Sequence, residues 1–248
     1  MSKSEFGIAV KAASGVFRFT NLIIASAATG TEVLLIEKTG DLPLTPAKGQ
    51  FATDKTSFET KYKSFGFKLT SSWSTADEIS KLDDALTFVT VSARNQVKNL
   101  TFDRRSSKVG PDDEAGHFDP NINTVVIFQT AFEDSATRFG QHNFLALAID
   151  HEVGHATAFA PTNIAPNAKL MAEFKAAAIL DGASNDTTGK RKRNAKSLTV
   201  KGGITEYSDA DFDEYYAESF SLFSIAPTTF ELLRPNIFKF FFKHFPFP

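Results

Sequence analysis

The stretch His151-Glu152-Val153-Gly154-His155 lies within residues 140–160, an apolar segment with the periodicity of one long helix. Two histidines four residues apart project from the same helix face, so both imidazoles can reach one metal ion. Glu152 lies one position round the helix, where its carboxylate can take a proton from an activated water without binding the metal. The spacing therefore predicts a metal-binding helix that also carries a general base.

Gly154, between the two histidines, has a structural implication of its own. A glycine inside a helix costs on the order of 1 kcal/mol relative to alanine. We therefore expect its missing side chain to let a strand or a second helix pass close by.

The composition restricts the chemistry of such a site. The chain has no cysteine, so a metal must be held by nitrogen and oxygen ligands. Of the five histidines, we interpret His117, His142 and His244 as ordinary loop or helix-end residues. A chance pair of surface histidines is the alternative interpretation of His151 and His155, and the helical, apolar context argues against it.

A catalytic zinc site has three protein ligands and one open position, so a third ligand is expected on a later helix. The candidates are Glu214 and Glu218, which are four residues apart and share a helix face. One carboxylate would bind the metal while the other holds a ligating histidine. Spacing alone leaves the choice between them open, and a solvated acidic helix face is the alternative.

The pattern of the N-terminal part differs from that of the rest. Short apolar runs divided by glycine and proline between residues 15 and 44 predict a small β-rich segment. Residues 45–73 are rich in Lys, Thr, Ser, Gly and Phe; residues 46–49 are expected to form a turn or linker, and a soft domain boundary is predicted near 45–72. We expect a β-rich segment of unknown role over residues 1–70 and the main domain over residues 71–248.

The main domain alternates helical and strand patterns. Thr75-Ala76-Asp77-Glu78 has the form of a capping box, so a helix should begin there. Further segments are predicted as helices at 93–98, 166–180 and 211–224, and as strands at 100–103 and 124–129. The polar, basic residues 181–203 are expected to form an exposed loop.

Two unusual stretches each have two interpretations. The Phe-rich end, residues 229–245, is expected to be a helix packed on the domain; a membrane-interface or partner-binding segment is the alternative. The basic run Lys190-Arg191-Lys192-Arg193 is expected to lie in a solvated loop. The alternatives for this run are a nuclear-import patch, a processing site or a contact for an acidic substrate.

Net charge and hydropathy exclude two broad classes. A net charge of −2 and a pI near 6.2 do not fit a nucleic-acid-binding protein. We find neither a Sec signal peptide nor a transmembrane helix, so we expect no integral membrane segment. The location is then the cytoplasm or an export route through a dedicated delivery system, and the oligomeric state stays open.

The two motif stretches, His151–Ala156 and Glu214–Phe220, resemble the peptidase domain of anthrax toxin lethal factor and its relatives, the bacterial Pro-Pro endopeptidases. The resemblance covers residues 76–245. It implies an α+β, zincin-like fold with a small mixed sheet on the active-site helix, whose edge strand binds extended peptide. Thr124–Phe128 is the candidate edge strand.

The same resemblance assigns roles to individual residues. It implies that Glu214 is the third zinc ligand, that Glu218 supports the site, and that Tyr207, seven residues before the ligand, stabilises the oxyanion. The separation of His155 from Glu214 is longer than is typical of the family, and residues 181–203 are the expected insertion.

We therefore expect a zinc-dependent endopeptidase that acts on a protein or peptide substrate. A toxin or effector delivered into another cell is one form of this hypothesis. The alternative is a non-enzymatic interaction or structural protein on the same scaffold, in which the metal is structural or absent.

Overall fold

The computed structural model describes residues 51–107, 115–132, 144–160, 165–193, 196–205 and 207–247. The predicted β-rich segment at residues 15–44 and His142 lie outside these ranges. The described helices are α1 (Lys55–Lys61), α2 (Ala76–Phe88), α3 (Val91–Gln96), α4 (Phe144–Phe159), α5 (Ala168–Leu180), α6 (Phe212–Ile225), α7 (Pro227–Leu233) and α8 (Pro235–His244).

A small mixed sheet makes the fold α+β, as predicted. Its strands are β1 (Lys68–Leu69), β2 (Thr101–Arg104), β3 (Gly116–Asp119) and β4 (Thr124–Ile127). The order is β1-β2-β4-β3, with β1, β2 and β4 parallel and β3 antiparallel to β4. All residues of β4 are buried, as expected for a central strand that is covered on both sides.

The prediction that Thr124–Phe128 is the edge strand is wrong. The glycine- and aspartate-rich stretch before it contains β3, which pairs with β4 and forms the outer strand of the described sheet. Glycine and aspartate are depleted in strands, so this pairing had no clear signal in the sequence.

The helix α4 lies at the centre of the domain, between α2, α6, β3 and β4. The predicted close approach at Gly154 is confirmed, because a Cβ built there would lie 3.0 Å from Ala217 Cα on α6 and 3.1 Å from Phe220 Cβ. The predicted start of α2 is also confirmed, since Thr75 caps it by accepting a hydrogen bond from the Glu78 backbone N–H.

Residues 51–70 are part of the folded unit, whereas the turn or linker expected at residues 46–49 lies outside the described residues. Phe58 on α1 is fully buried in the same core as Leu82 and Phe102, and β1 pairs with β2. Tyr62, just after α1, donates a 2.6 Å hydrogen bond to Asp83 on α2. The lysine- and serine-rich composition reflects the outer face of this segment, while its aromatic residues fill the core.

Residues 181–203 also differ from the expected exposed loop. They contain two small antiparallel ladders, β5 (Ser184–Asn185) with β8 (Val200–Lys201), and β6 (Lys192–Arg193) with β7 (Lys196–Ser197). Ala183, Leu198 and Val200 are buried. The segment is therefore a structured part of the domain.

The Phe-rich end packs on the domain, as expected, but as the two helices α7 and α8. Each begins with a proline at its first turn, where the missing N–H costs no hydrogen bond. Phe240 and Phe241 contact Phe174 on α5 and Tyr216 on α6. None of the described helices is long and apolar enough to cross a bilayer.

Candidate metal centre

Three side chains from α4 and α6 converge on one point. The Nε2 atoms of His151 and His155 are 3.1 Å apart, and Glu214 Oε2 lies 3.2 Å from the first and 3.4 Å from the second. The helix α4 supplies both histidines from one face, and α6 supplies Glu214 from its first turn. These three residues could hold a metal ion.

The geometry and the donor set fit zinc. A tetrahedral zinc with bonds of about 2.0–2.1 Å to nitrogen and oxygen separates its ligand atoms by about 3.3 Å, close to all three observed distances. Glu214 Oε2 is buried, and neither imidazole meets it with hydrogen-bond geometry. A buried carboxylate oxygen without an aligned donor needs another partner, and a cation is such a partner.

Glu218, one turn further along α6, approaches His151 from the other side of the ring. Its Oε1 lies 3.1 Å from His151 Nδ1, a separation typical of an ion pair, although the N–H is not aligned for a regular hydrogen bond. Its Oε2 accepts a 3.1 Å hydrogen bond from Thr205 Oγ1. Glu218 therefore faces Nδ1 of His151, while Glu214 faces Nε2 of the same ring. This difference in position distinguishes the two glutamates, which spacing alone could not do.

The charges within the cluster favour a protonated imidazole on His151 and an ionised carboxylate on Glu214. Burial acts to lower the pKa of His151, but the neighbouring Glu214 and Glu218 outweigh burial and raise this pKa well above its usual value. Burial acts to raise the pKa of Glu214, but His151 and His155 lower it far below its usual range. Glu214 is thus ionised at neutral pH, as a metal ligand must be.

The position of Glu214 at the start of α6 supports its charge. Asp211 caps this helix by accepting hydrogen bonds from the backbone N–H groups of Asp213 and Glu214, both 2.9 Å long. The positive end of the helix dipole stabilises a carboxylate in the first turn.

Glu152 is buried on α4 and lies next to the outer strand of the sheet. A Cβ built on Gly116 of β3 would lie 3.4 Å from Glu152 Cγ and only 2.8 Å from the Val126 carbonyl oxygen. The missing side chain at Gly116 therefore lets β3 pass close to both β4 and the candidate base. The role of Gly116 was not predicted, and a glycine at the start of a strand is too common to reveal it.

Tyr207 lies beside His151, in the turn before α6. Its ring centroid is 5.6 Å from that of His151, and its side chain is at the border of exposure, at 36%. The phenol therefore lies beside the metal ligands while solvent or a ligand can reach it.

Thr157 on α4 forms two buried hydrogen bonds next to the site, and one of them reaches α6. Thr157 Oγ1 donates 2.7 Å to the Gly154 carbonyl and shares a 3.0 Å hydrogen bond with Tyr216 Oη. Tyr215 and Tyr216 are fully buried and pack in the core.

The other described histidines lie away from this cluster. His117 is on β3, with its ring 5.6 Å from that of Phe128, and His244 forms an ion pair with Glu173 at 3.1 Å. Thr205, the partner of Glu218, was not predicted, because no spacing rule connects a loop threonine to a helical carboxylate 13 residues later.

The chain matches no known protein-family model, and a comparison with curated proteins also gave no match.

Proposed function

We propose that this protein is a zinc-dependent endopeptidase. The observation that carries the proposal is the convergence of His151 Nε2, His155 Nε2 and Glu214 Oε2 at the separations of a tetrahedral zinc site, with Glu152 beside them. A zinc ion held there would act as a Lewis acid that activates water and polarises the substrate carbonyl. The resemblance to the lethal factor peptidase domain adds support from the same residues.

Glu152 acts as the general base in this proposal. Its carboxylate takes a proton from the attacking water and then delivers a proton to the leaving amine nitrogen, so no proton is gained or lost overall. The buried location beside β3 keeps the carboxylate close to a substrate backbone and away from bulk water.

Tyr207 acts as the electrophilic helper. The phenol O–H donates to the oxygen of the scissile carbonyl as negative charge develops on it. Its ring lies beside that of His151, and its partial exposure leaves it accessible to a bound peptide, which supports this role.

The outer strand β3 provides a place for the substrate backbone. No further strand pairs with β3 among the residues that the structure describes. Antiparallel strands exchange hydrogen bonds at every second residue, and the Phe128 N–H donates to the Ala115 carbonyl. Gly116 and Phe118 therefore direct their backbone groups outward, where an extended peptide can add a strand beside Glu152.

Metal analysis combined with a peptide-library digest tests the proposal. Purified protein should contain stoichiometric zinc and should cleave peptides, and sequencing of the products would reveal the specificity. Glu152→Gln should keep the zinc and lose about 10²–10⁴-fold in kcat/KM, the usual contribution of a general base.

Two results would contradict the proposal. Undiminished cleavage by Glu152→Gln, on any substrate that the parent protein cleaves, would remove Glu152 as the base. Stoichiometric zinc without any cleavage would instead favour a non-enzymatic protein with a structural metal.

A further inference from the structure

Arg191, within the basic run at residues 190–193, directs its side chain into the structure. Arg191 Nη1 donates 2.9 Å to the Val200 carbonyl, and Nη2 forms a charged hydrogen bond with the carboxylate of Asp209. The side chain is only 28% exposed, and that of Asp209 is 10% exposed. The expectation of a solvated loop is therefore wrong for Arg191.

Asp209 connects this arginine to the turn that carries Tyr207. Its Oδ1 accepts a 2.8 Å hydrogen bond from the Gly203 N–H. Its backbone carbonyl accepts hydrogen bonds from the N–H groups of Thr199 and Val200, both 3.0 Å long. The Asp209 end of the turn is thus held to β8 and to the residues on either side of β8, and Arg191 binds two of the same residues, Val200 and Asp209.

Within the turn, short contacts fix the backbone on either side of Tyr207. The Ala210 N–H donates to the Tyr207 carbonyl at 3.0 Å. Ser208, fully buried, donates from Oγ to the Thr205 carbonyl at 2.7 Å, and the Ser208 N–H donates to Thr205 Oγ1 at 3.0 Å. These hydrogen bonds form only when the turn is closed as observed, so they fix the direction in which Tyr207 leaves the backbone.

We propose that Arg191 is a positioning residue for Tyr207: by binding Asp209 and Val200 it holds the turn that directs the phenol at the reacting carbonyl. This inference rests on the proposed peptidase function. It also assigns residues 181–203 a structural role at the same site, because β8 and Arg191 both contact the turn. A displacement of about 1 Å at a catalytic group can cost on the order of 10²-fold in rate, so a support of this kind has a measurable effect.

Arginine suits this role better than lysine. Its planar guanidinium offers several N–H donors in a fixed fork, so it can bind a carboxylate and a carbonyl at once. A lysine would keep the charge and would bind one acceptor well at a time. Arg191→Lys should therefore restore only part of the function that Arg191→Met removes.

The experiment is a double-mutant cycle on the zinc-loaded full chain. Arg191→Met, Arg191→Lys, Tyr207→Phe and the double variant Arg191→Met with Tyr207→Phe are assayed on a peptide that the parent protein cleaves. Lys190→Met is the matched control, since it removes the same charge from an exposed neighbour. Hydrogen–deuterium exchange of residues 199–210 and of α4, with and without zinc, gives a readout that does not depend on activity.

Tyr207→Phe should lower kcat about 10²–10³-fold, as the loss of one oxyanion donor does. Arg191→Met should lower kcat at least tenfold with little change in KM, but only in the parent background, because without the phenol there is nothing left to position. Exchange at residues 199–210 should accelerate in Arg191→Met, with α4 unchanged. Lys190→Met should match the parent in both measurements.

Equal losses from Arg191→Met in the two backgrounds, or unchanged exchange at residues 199–210, would overturn the inference. Faster exchange across α4 would show general destabilisation and would overturn it as well. If the parent protein cleaves no peptide, the proposed function fails, and with it the role for Tyr207. The exchange comparison would then still decide whether Arg191 orders the turn.

Discussion

The two sides of the candidate metal centre are built in different ways. On one side, α4 and α6 pack so closely that a Cβ on Gly154 would lie 3.0 Å from Ala217 Cα, and both contact residues on α6, Ala217 and Phe220, are buried. On the other side, the turn with Tyr207 is held to residues 181–203 by hydrogen bonds and one charged pair. Packing fixes the metal ligands, and polar contacts fix the candidate oxyanion donor, so metal binding and turnover can be damaged separately.

The largest expected effect concerns the two glutamates of α6. Glu214→Gln should abolish stoichiometric zinc binding, because a neutral amide replaces the charged oxygen that faces both histidines. Glu218→Gln should keep the zinc but weaken its binding about 10–100-fold, the usual cost of losing a group that orients a ligating histidine.

Zinc titration of both variants by competition with a chromophoric chelator measures this difference, with Glu231→Gln on α7 as a control for the loss of one carboxylate. Equal losses from Glu214→Gln and Glu218→Gln would contradict the division of roles. A larger loss from Glu218→Gln would make Glu218 the ligand.

Zinc binding should also depend on pH, because His151 must lose its proton to bind the metal. The pKa of His151 is raised by Glu214 and Glu218, which favours the protonated imidazole in the metal-free protein. Below that pKa, zinc affinity should fall about tenfold for each pH unit, since one proton competes with the metal. Glu214 adds no further dependence until strongly acidic pH, because its pKa is lowered.

The stability of the metal-free protein should depend on the same two groups, with opposite pH dependences for His151 and Glu214. The protonated His151 stabilises the fold below the ordinary histidine pKa, and this contribution is lost as the pH rises through the raised pKa. The ionised Glu214 stabilises the fold above the ordinary carboxyl pKa and is lost only as the pH falls through its lowered value. Zinc titration and thermal unfolding between about pH 6 and pH 8 measure how His151 affects zinc affinity and stability. Zinc affinity that is independent of pH would contradict the requirement that His151 lose its proton to bind the metal.

The packed side is tested by Gly154→Ala. The new methyl group would meet the Ala217 backbone at 3.0 Å, and a buried helix cannot easily give way. Overpacking costs about 1–3 kcal/mol, and the better helix propensity of alanine offsets about 1 kcal/mol of it. We expect a net loss in the free energy of unfolding, measured by urea denaturation.

The exposed residue Ala176 on α5 supplies the control for helix propensity. Ala176→Gly should destabilise the protein by about 1 kcal/mol through propensity alone. If Gly154→Ala stabilised the protein by the same amount, the close packing of α4 on α6 would have no energetic consequence.

The sequence predicted the side of the centre formed by α4 and α6, the packed side, far better than the polar side, which the turn with Tyr207 forms. Helical periodicity alone fixes the relation of His151 to His155, and it placed Glu214 and Glu218 on one face. The choice between the glutamates depends on where α4 and α6 cross, which periodicity does not specify. Spacing left it open, and only the resemblance to a known family favoured Glu214.

The polar side depends on contacts that no local pattern encodes. Arg191 and Asp209 are 18 residues apart, and the composition around Arg191 predicted only an exposed loop. The outer strand β3 was missed for a similar reason, since its residues form a strand only by pairing with β4.

The smallest effect on stability is expected at Gly203, the counterpart of Gly154 on the polar side. A Cβ there would clash with Ser208 Oγ and lie 2.6 Å from Asp209 Oδ1. Side-chain ends can rotate away, at a cost of about 0.5–1.5 kcal/mol, but the rotation breaks contacts that hold Tyr207. Gly203→Ala should therefore lower kcat about tenfold or more while changing the unfolding midpoint only slightly.

Gly189→Ala is the matched control for this change. Its φ of +62° makes alanine strained there, but a Cβ would meet no atom within 4 Å, so the strain does not reach the turn. It should therefore lower stability without changing kcat. If Gly203→Ala loses kcat but keeps full zinc occupancy, the turn affects turnover and not metal binding. If it loses zinc, the turn also positions the candidate metal ligands, through the hydrogen bond from Thr205 to Glu218.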